Sequence, residues 1–101
     1  NDTTSGWYQS LDDGTRQYVN RELQTTGDDM PWPVIESAFR SRCHIAIAPM
    51  QDYLGLGSSA RFNTPGTISG NWVWRLEQGQ CTDELAAQLK ELAIRHSRLP
   101  D

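Results

Sequence analysis

A four-residue apolar run, Ile45-Ala46-Ile47-Ala48, constrains the fold more than any other feature of this sequence. The run lacks the alternation of apolar and polar side chains expected of a half-exposed strand, and it is followed by Pro49. Such a run is typical of a strand that is buried on both faces of a parallel sheet. A strand of this kind needs neighbouring strands, and we find none elsewhere in the chain. The sequence therefore predicts that these residues are part of a larger folded unit, which supplies the neighbouring strands.

A long irregular segment, residues 51–75, follows the predicted strand. It shows neither helical nor strand periodicity over most of its length, and Pro65-Gly66 and Gly70-Asn71 are turn dipeptides. Long loops in small chains are usually functional or disordered. The aromatic side chains of this segment argue against disorder. We therefore predict an ordered binding loop.

The polar side chains of this loop indicate a ligand that is covered in hydroxyl groups. Asn63, Asn71 and Gln51 each present a donor and an acceptor on one planar amide, and flat aromatic faces can lie against the C–H surface of a sugar. The loop also carries five hydroxyl side chains, Ser58, Ser59, Thr64, Thr67 and Ser69. The competing interpretation is that these residues cap turns and that the tryptophans are core, and residue chemistry alone favours it.

Helical signals occur in the first part of the chain. Residues 1–10 are expected to be loop or the tail of a strand. The first helix is predicted from a cap at Asp12 or Asp13 to about Leu23. A cap at Asp28 or Asp29 opens the second helix, whose first turn contains two prolines.

The last part of the chain has the periodicity of an amphipathic helix. Thr82 is the expected N-cap, and residues 82–98 are predicted to form the final helix. Its buried stripe consists of Leu85, Leu89 and Leu92.

Composition excludes several classes of function. The formal net charge of −4 argues against nucleic acid, because phosphate neutralisation dominates such binding. No apolar window is long enough to span a membrane. Cys43 and Cys81 are expected to be reduced thiols, and with His44 and His96 they are not spaced as zinc ligands. We expect no metal and no cofactor, and we predict a cytoplasmic location.

Residues 49–57 read PMQDYLGLG, residues 60–66 read ARFNTPG and residues 69–75 read SGNWVWR. These three stretches resemble the C-terminal signature of the 4-α-glucanotransferases, also called amylomaltases or disproportionating enzymes. The opening residues, NDTTSGWY, are also similar to that family. The chain departs from the family pattern at His44, where Arg is usual, and at Phe62, where Met is usual.

The resemblance implies an α/β fold, with residues 1–101 as a single C-terminal segment of a (β/α)8 TIM barrel. In that fold residues 45–48 would be the eighth strand and residues 82–98 the closing helix. Ligands bind such barrels at the C-terminal ends of the strands, which is where the loop begins.

The resemblance also implies retaining transfer of α-1,4-glucan segments to an acceptor sugar through a covalent glycosyl-enzyme intermediate. Asn63 and Ser69 match family positions that hydrogen-bond sugar hydroxyls, so they are the predicted substrate-binding residues. None of the family's catalytic carboxylates matches a residue here, since the third would directly precede Asn1. We therefore expect the isolated chain to be inactive. Its expected partners are maltooligosaccharides and either the remainder of the barrel or further copies of itself.

Two further expectations concern the loop. Arg61 and Asp52 should form an internal ion pair or brace the loop. Trp72 and Trp74 are expected to be extended packing anchors with both rings on one side. An alternative function remains, a non-catalytic carbohydrate-binding or assembly fragment.

Overall fold

Helices dominate the computed structural model, which describes residues 2–99. Their bounds are α1 Thr4–Ser10, α2 Asp13–Leu23, α3 Trp32–Arg40, α4 Met50–Tyr53 and α5 Asp83–Arg95, with a 3₁₀ turn at Ser58–Ala60 between α4 and α5. Helix α3 packs against α2, α4 and α5, and α1 packs against the 3₁₀ turn. The molecule is thus a helical scaffold. The segment of residues 51–75 predicted to be irregular begins with the last three residues of α4 and contains the 3₁₀ turn, and the rest of it is loop.

Helices α2 and α5 begin where the sequence predicts. The carboxylate of Asp12 accepts a hydrogen bond from the Thr15 amide at 2.7 Å, and the hydroxyl of Thr82 accepts one from the Leu85 amide at 3.1 Å. Helix α5 ends at Arg95 rather than near residue 98. The cause is Ser97, whose φ of +58° turns the chain out of the helix.

Two expectations for the first part of the chain are wrong. Residues 4–10 form helix α1 rather than loop or strand. The Thr3 hydroxyl caps the helix by accepting a hydrogen bond from the Gly6 amide at 3.1 Å, and packing against the distant 3₁₀ turn stabilises it. Helix α3 has Pro31 as its N-cap, and no side chain caps it. The carboxylate of Asp29 instead accepts a hydrogen bond from the Thr25 hydroxyl.

The apolar core is small. Its buried apolar residues in the region described include Ile35 of α3, Leu92 of α5, Ala60 of the 3₁₀ turn and Pro31, the N-cap of α3. Arg98 links α5 to the end of α3, because its guanidinium donates hydrogen bonds to the carbonyl oxygens of Phe39 at 2.8 Å and Ser41 at 3.1 Å. These contacts hold α3 and α5 together beneath the loop.

The buried strand predicted at residues 45–48 is not confirmed. Within residues 2–99 no segment forms a strand, and the Ile45 and Ile47 side chains are 74% and 84% exposed. The physical reason is that a strand exists only by hydrogen bonding to a neighbouring strand, and the described chain offers none. The segment has no regular secondary structure, and its two isoleucine side chains are uncovered.

Candidate functional site

A closed lobe forms the outer part of the loop. The Trp72 amide donates a hydrogen bond to the Phe62 carbonyl and thereby joins the two ends of residues 62–72, which we call the lobe. Inside it, the Thr67 amide donates to the Thr64 carbonyl at 3.2 Å across the Pro65-Gly66 pair. Gly66 has a φ of +83°, as the third residue of a type II turn requires. The predicted turn is therefore present and ordered by its own backbone.

The side chain of Asn71 fastens the lobe from within. Its Oδ1 accepts a hydrogen bond from the Thr64 amide at 2.8 Å, and its Nδ2 donates to the Thr67 hydroxyl at 3.1 Å. Asn71 therefore holds the turn, as the structural interpretation of the loop amides proposed.

The side chain of Gln51 also makes a structural contact within the chain. Its side chain belongs to helix α4, the residue is only 2% exposed, and Nε2 donates to the Ala60 carbonyl at 3.1 Å. This bond ties α4 to the 3₁₀ turn that leads into the lobe. Of the three amides that the sequence offers for a sugar, Asn71 and Gln51 thus serve internal contacts.

The two predicted substrate-binding residues, Asn63 and Ser69, lie in the same lobe. Asn63 is half-buried near the base, and its carbonyl accepts a hydrogen bond from Arg61 Nε at 2.8 Å. Ser69 is exposed in the outer bend, next to the fully exposed side chain of Ile68. Both residues therefore belong to the lobe that the Trp72–Phe62 hydrogen bond closes, Asn63 near its base and Ser69 in its outer bend.

Asp52 connects the loop to the beginning of the chain. It is 8% exposed, and its two carboxylate oxygens accept hydrogen bonds from the Thr4 amide at 2.8 Å and the Thr4 hydroxyl at 2.7 Å. Sequence reasoning did not identify this contact, because no local signal links residues 48 positions apart.

Arg61 braces the loop with a different partner from the one expected. Arg61 Nη1 lies 3.8 Å from Asp2 Oδ2, so the predicted pairing with Asp52 is wrong and the predicted role as a brace is confirmed. Asp2 Oδ2 also accepts a hydrogen bond from the Ser58 hydroxyl at 2.9 Å. Gly6 permits this approach, because a Cβ at that position would lie 2.2 Å from Ser58 Oγ.

The two loop tryptophans pack on Phe62. The Trp72 ring stacks on it with centroids 5.5 Å apart, and the Trp74 ring meets it edge-on at 6.2 Å. Both rings therefore share one packing partner, as expected of anchors. The expected extended conformation is wrong at Trp72, whose φ is +59°. In this left-handed conformation the Trp72 amide donates the hydrogen bond that closes the lobe. Trp72 itself is 71% exposed.

The acidity of Tyr53, at the start of the loop, is perturbed. Burial raises the pKa of the Tyr53 phenol above its ordinary value, against a backbone hydrogen bond with Ala48 that lowers it. Tyr53 therefore stays protonated and offers a neutral hydroxyl beside the base of the loop. Residues 2–99 contain no cluster of three metal-ligating side chains, and none of their helices is long and apolar enough to cross a membrane.

Comparisons with known proteins identify the family of this chain. The family model for 4-alpha-glucanotransferases matches residues 1–82. The chain is 45% identical to the chloroplastic/amyloplastic 4-alpha-glucanotransferase DPE1 of Arabidopsis thaliana over 98% of its length, which is 18% of that protein. It is 38% identical to the 4-alpha-glucanotransferase of Thermus thermophilus, again over 98% of its length and 21% of that protein.

A solved structure gives the same result in three dimensions. An amylomaltase from Streptococcus agalactiae, determined in complex with acarbose, superimposes with a TM-score of 0.90 over 99% of this chain and 20% of that protein, at 26% identity. The chain thus spans about a fifth of the length of these relatives. Family match, sequence identity and superposition agree, and we conclude that the chain belongs to the 4-alpha-glucanotransferase family.

Proposed function

We propose that these residues are one segment of a 4-α-glucanotransferase that transfers α-1,4-glucan segments to an acceptor sugar. The superposition on an acarbose-bound amylomaltase is the observation that carries this proposal. The reaction is a retaining double displacement, in which a carboxylate nucleophile forms a glycosyl-enzyme intermediate that the acceptor sugar resolves. The catalytic carboxylates belong to the rest of the enzyme, and this segment supplies part of the wall that binds the glucan.

The surface of the chain supports a larger assembly. Its accessible area is 7435 Å², whereas a folded monomer of this mass exposes about 5,800 Å². The excess includes apolar side chains on residues 45–48 and the groove between them and α5, lined by Phe39, Ala93 and Leu99. Neighbouring strands of a TIM barrel would cover this surface. In the complete enzyme residues 45–48 would then be the eighth barrel strand and α5 the closing helix.

Asn63 and Ser69 are the groups that we assign to the sugar. A glucan presents neutral hydroxyls, which an amide and a hydroxyl can both donate to and accept from. Both residues lie in the lobe, whose backbone the Asn71 side chain holds through its hydrogen bonds to Thr64 and Thr67. Sugar binding therefore requires little additional ordering of the loop. A maltooligosaccharide is therefore the proposed ligand, and neither nucleic acid nor membrane is a proposed partner. A cytoplasmic location stays a prediction, because the names of the Arabidopsis and rice relatives place those proteins in plastids.

A chimaera tests the proposed function. In it, this chain replaces the matching fifth of the Streptococcus agalactiae amylomaltase, and the expected result is retained disproportionation of maltotriose. The purified 101-residue chain should show no such activity. A correctly folded but inactive chimaera would contradict the proposal and favour the alternative, a non-catalytic carbohydrate-binding or assembly fragment.

Substitutions in the active chimaera test the two binding residues. Asn63→Ala should lower kcat/KM, because a hydrogen bond to a neutral hydroxyl contributes ~0.5–1.5 kcal/mol. Ser69→Ala should act mainly on KM. Gln88→Ala, which removes an exposed amide on α5, is the matched control and should change neither constant. If Asn63→Ala lowers the melting temperature sharply and leaves kinetics per folded molecule unchanged, Asn63 is a turn-capping residue and the assignment is wrong.

A further inference from the structure

The guanidinium of Arg61 lies between the lobe and the N-terminal segment, residues 2–4. Its Nε donates to the Asn63 carbonyl at 2.8 Å, and its Nη1 lies 3.8 Å from Asp2 Oδ2. The Arg61 side chain is 28% exposed and that of Asp2 is 22% exposed, so solvent screens the contact only in part. A single cation therefore touches both the base of the lobe and a carboxylate outside it.

The N-terminal segment is a fixed anchor for this cation. Asp2 Oδ1 accepts a hydrogen bond from the Thr3 amide at 2.8 Å, and Asp2 Oδ2 accepts one from the Ser58 hydroxyl at 2.9 Å. The next residue but one, Thr4, is held by the buried carboxylate of Asp52. Asp2 is thus constrained by bonds that do not involve the lobe, and it can define where Arg61 sits.

The lobe itself is stabilised largely by contacts among its own residues. The bonds that Asn71 makes to Thr64 and Thr67 fix its shape but not its orientation on the scaffold. Arg61 acts on orientation, because it binds a carbonyl whose carbon is attached to the Cα that carries the Asn63 side chain. Fixing that peptide plane restricts the direction in which the Asn63 amide points.

We propose that Arg61 is a positioning residue, which aims the sugar-binding amide of Asn63 by bridging the Asn63 carbonyl to the carboxylate of Asp2. The proposal rests on the proposed function, because it assigns a role within the same glucan site. Arg61 does not itself contact sugar in this account: its Nε donates to the Asn63 carbonyl and its Nη1 faces the Asp2 carboxylate. The planar fork of arginine suits the role, because it can hold two acceptors in fixed directions, whereas a lysine ammonium is a point charge on a flexible stem.

The test is a double-mutant cycle in the complete glucanotransferase that carries this segment, with transfer kinetics on maltotriose. Arg61→Gln should lower kcat/KM about tenfold, the scale of a lost hydrogen bond to a charged group. In the Asn63→Ala background the same substitution should add less than about twofold, because its route to the substrate is already removed. Arg61→Lys should remain impaired although it keeps the charge. Arg40→Gln, at the exposed end of α3, is the matched control and should behave as the parent enzyme.

Each outcome decides between interpretations. Inactivity of the folded parent enzyme would refute the proposed function and, with it, the positioning role of Arg61. In an active parent, additive losses from Arg61→Gln and Asn63→Ala would overturn the positioning role, as would full activity of Arg61→Lys. If Arg61→Gln fails to fold, Asp2→Asn replaces it in the cycle, since it removes the anchoring charge and keeps the shape. Its loss of kcat/KM should likewise vanish in the Asn63→Ala background, and an undiminished loss there would refute the proposal.

Discussion

Truncation of Asp52 should strongly destabilise this segment. Asp52→Ala removes both acceptors of the Thr4 amide and hydroxyl, at 2.8 and 2.7 Å, from a residue that is only 8% exposed. A hydrogen bond to a charged group contributes ~1.5–3 kcal/mol, and a buried donor left without a partner carries a desolvation cost. The two bonds together give an expected loss of about 3–6 kcal/mol in the free energy of unfolding.

The companion substitution Asp52→Asn separates charge from geometry. The asparagine Oδ1 can still accept from the Thr4 amide, and the Thr4 hydroxyl can rotate to accept from Nδ2. The expected loss is therefore smaller, about 1 kcal/mol. The assay is thermal and urea unfolding of the complete enzyme, with Glu77→Ala as the control because its side chain is exposed. If Asp52→Ala has the same melting temperature and urea midpoint as Glu77→Ala, the hydrogen bonds from Thr4 to Asp52 do not stabilise the loop and the reasoning fails.

Three further predictions concern the scaffold and the isolated chain. The isolated chain should self-associate through its uncovered apolar side chains, and a monodisperse monomer with a sharp melt in analytical ultracentrifugation and calorimetry would contradict this. His96 and then Arg95 lower the pKa of Glu36 below its ordinary 4.5 by hydrogen bonding. Glu36 therefore contributes stability above pH 4.5 that is lost as the pH falls through its lowered pKa, so melts of Glu36→Gln should converge with the parent's in acid. Gly66→Ala should cost about 1 kcal/mol because the φ of +83° disfavours a side chain, and Gly57→Ala, at φ −82° with open space around it, should not.

The parts of the fold that sequence predicts well are those that local chemistry decides. Asp12 and Thr82 cap α2 and α5 because each bonds to an amide three residues ahead, a contact that a short window of sequence contains. The Pro65-Gly66 turn is local in the same way. These elements need no knowledge of the remainder of the chain.

The errors arise where distant residues decide the outcome. Helix α1 is stabilised by burial of Ser5 and Gly6 against the 3₁₀ turn, which lies more than fifty positions away. The partner of Arg61 is Asp2 rather than the nearer Asp52 for the same reason. The apolar pattern of residues 45–48 indicates burial, yet burial needs strands that the described chain does not contain. Periodicity reports what a segment requires and cannot report whether the requirement is met.

For the loop amides, the structure separates side chains that hold the loop from a candidate for sugar binding, which the sequence alone does not do. Sequence offers three amides of equal chemistry, and nothing local separates a ligand-binding amide from one that holds a turn. Asn71 and Gln51 use side-chain groups to hold the lobe and the 3₁₀ turn, so a sugar that recruited the Asn71 amide oxygen or the Gln51 amide nitrogen would have to break those bonds. The bond from Arg61 reaches the main-chain carbonyl of Asn63, so this contact fixes the Asn63 peptide plane rather than the side-chain amide itself. The positioning role of Arg61 depends on the assignment of Asn63 to the sugar, and the coupling between their substitutions in transfer kinetics tests the two together.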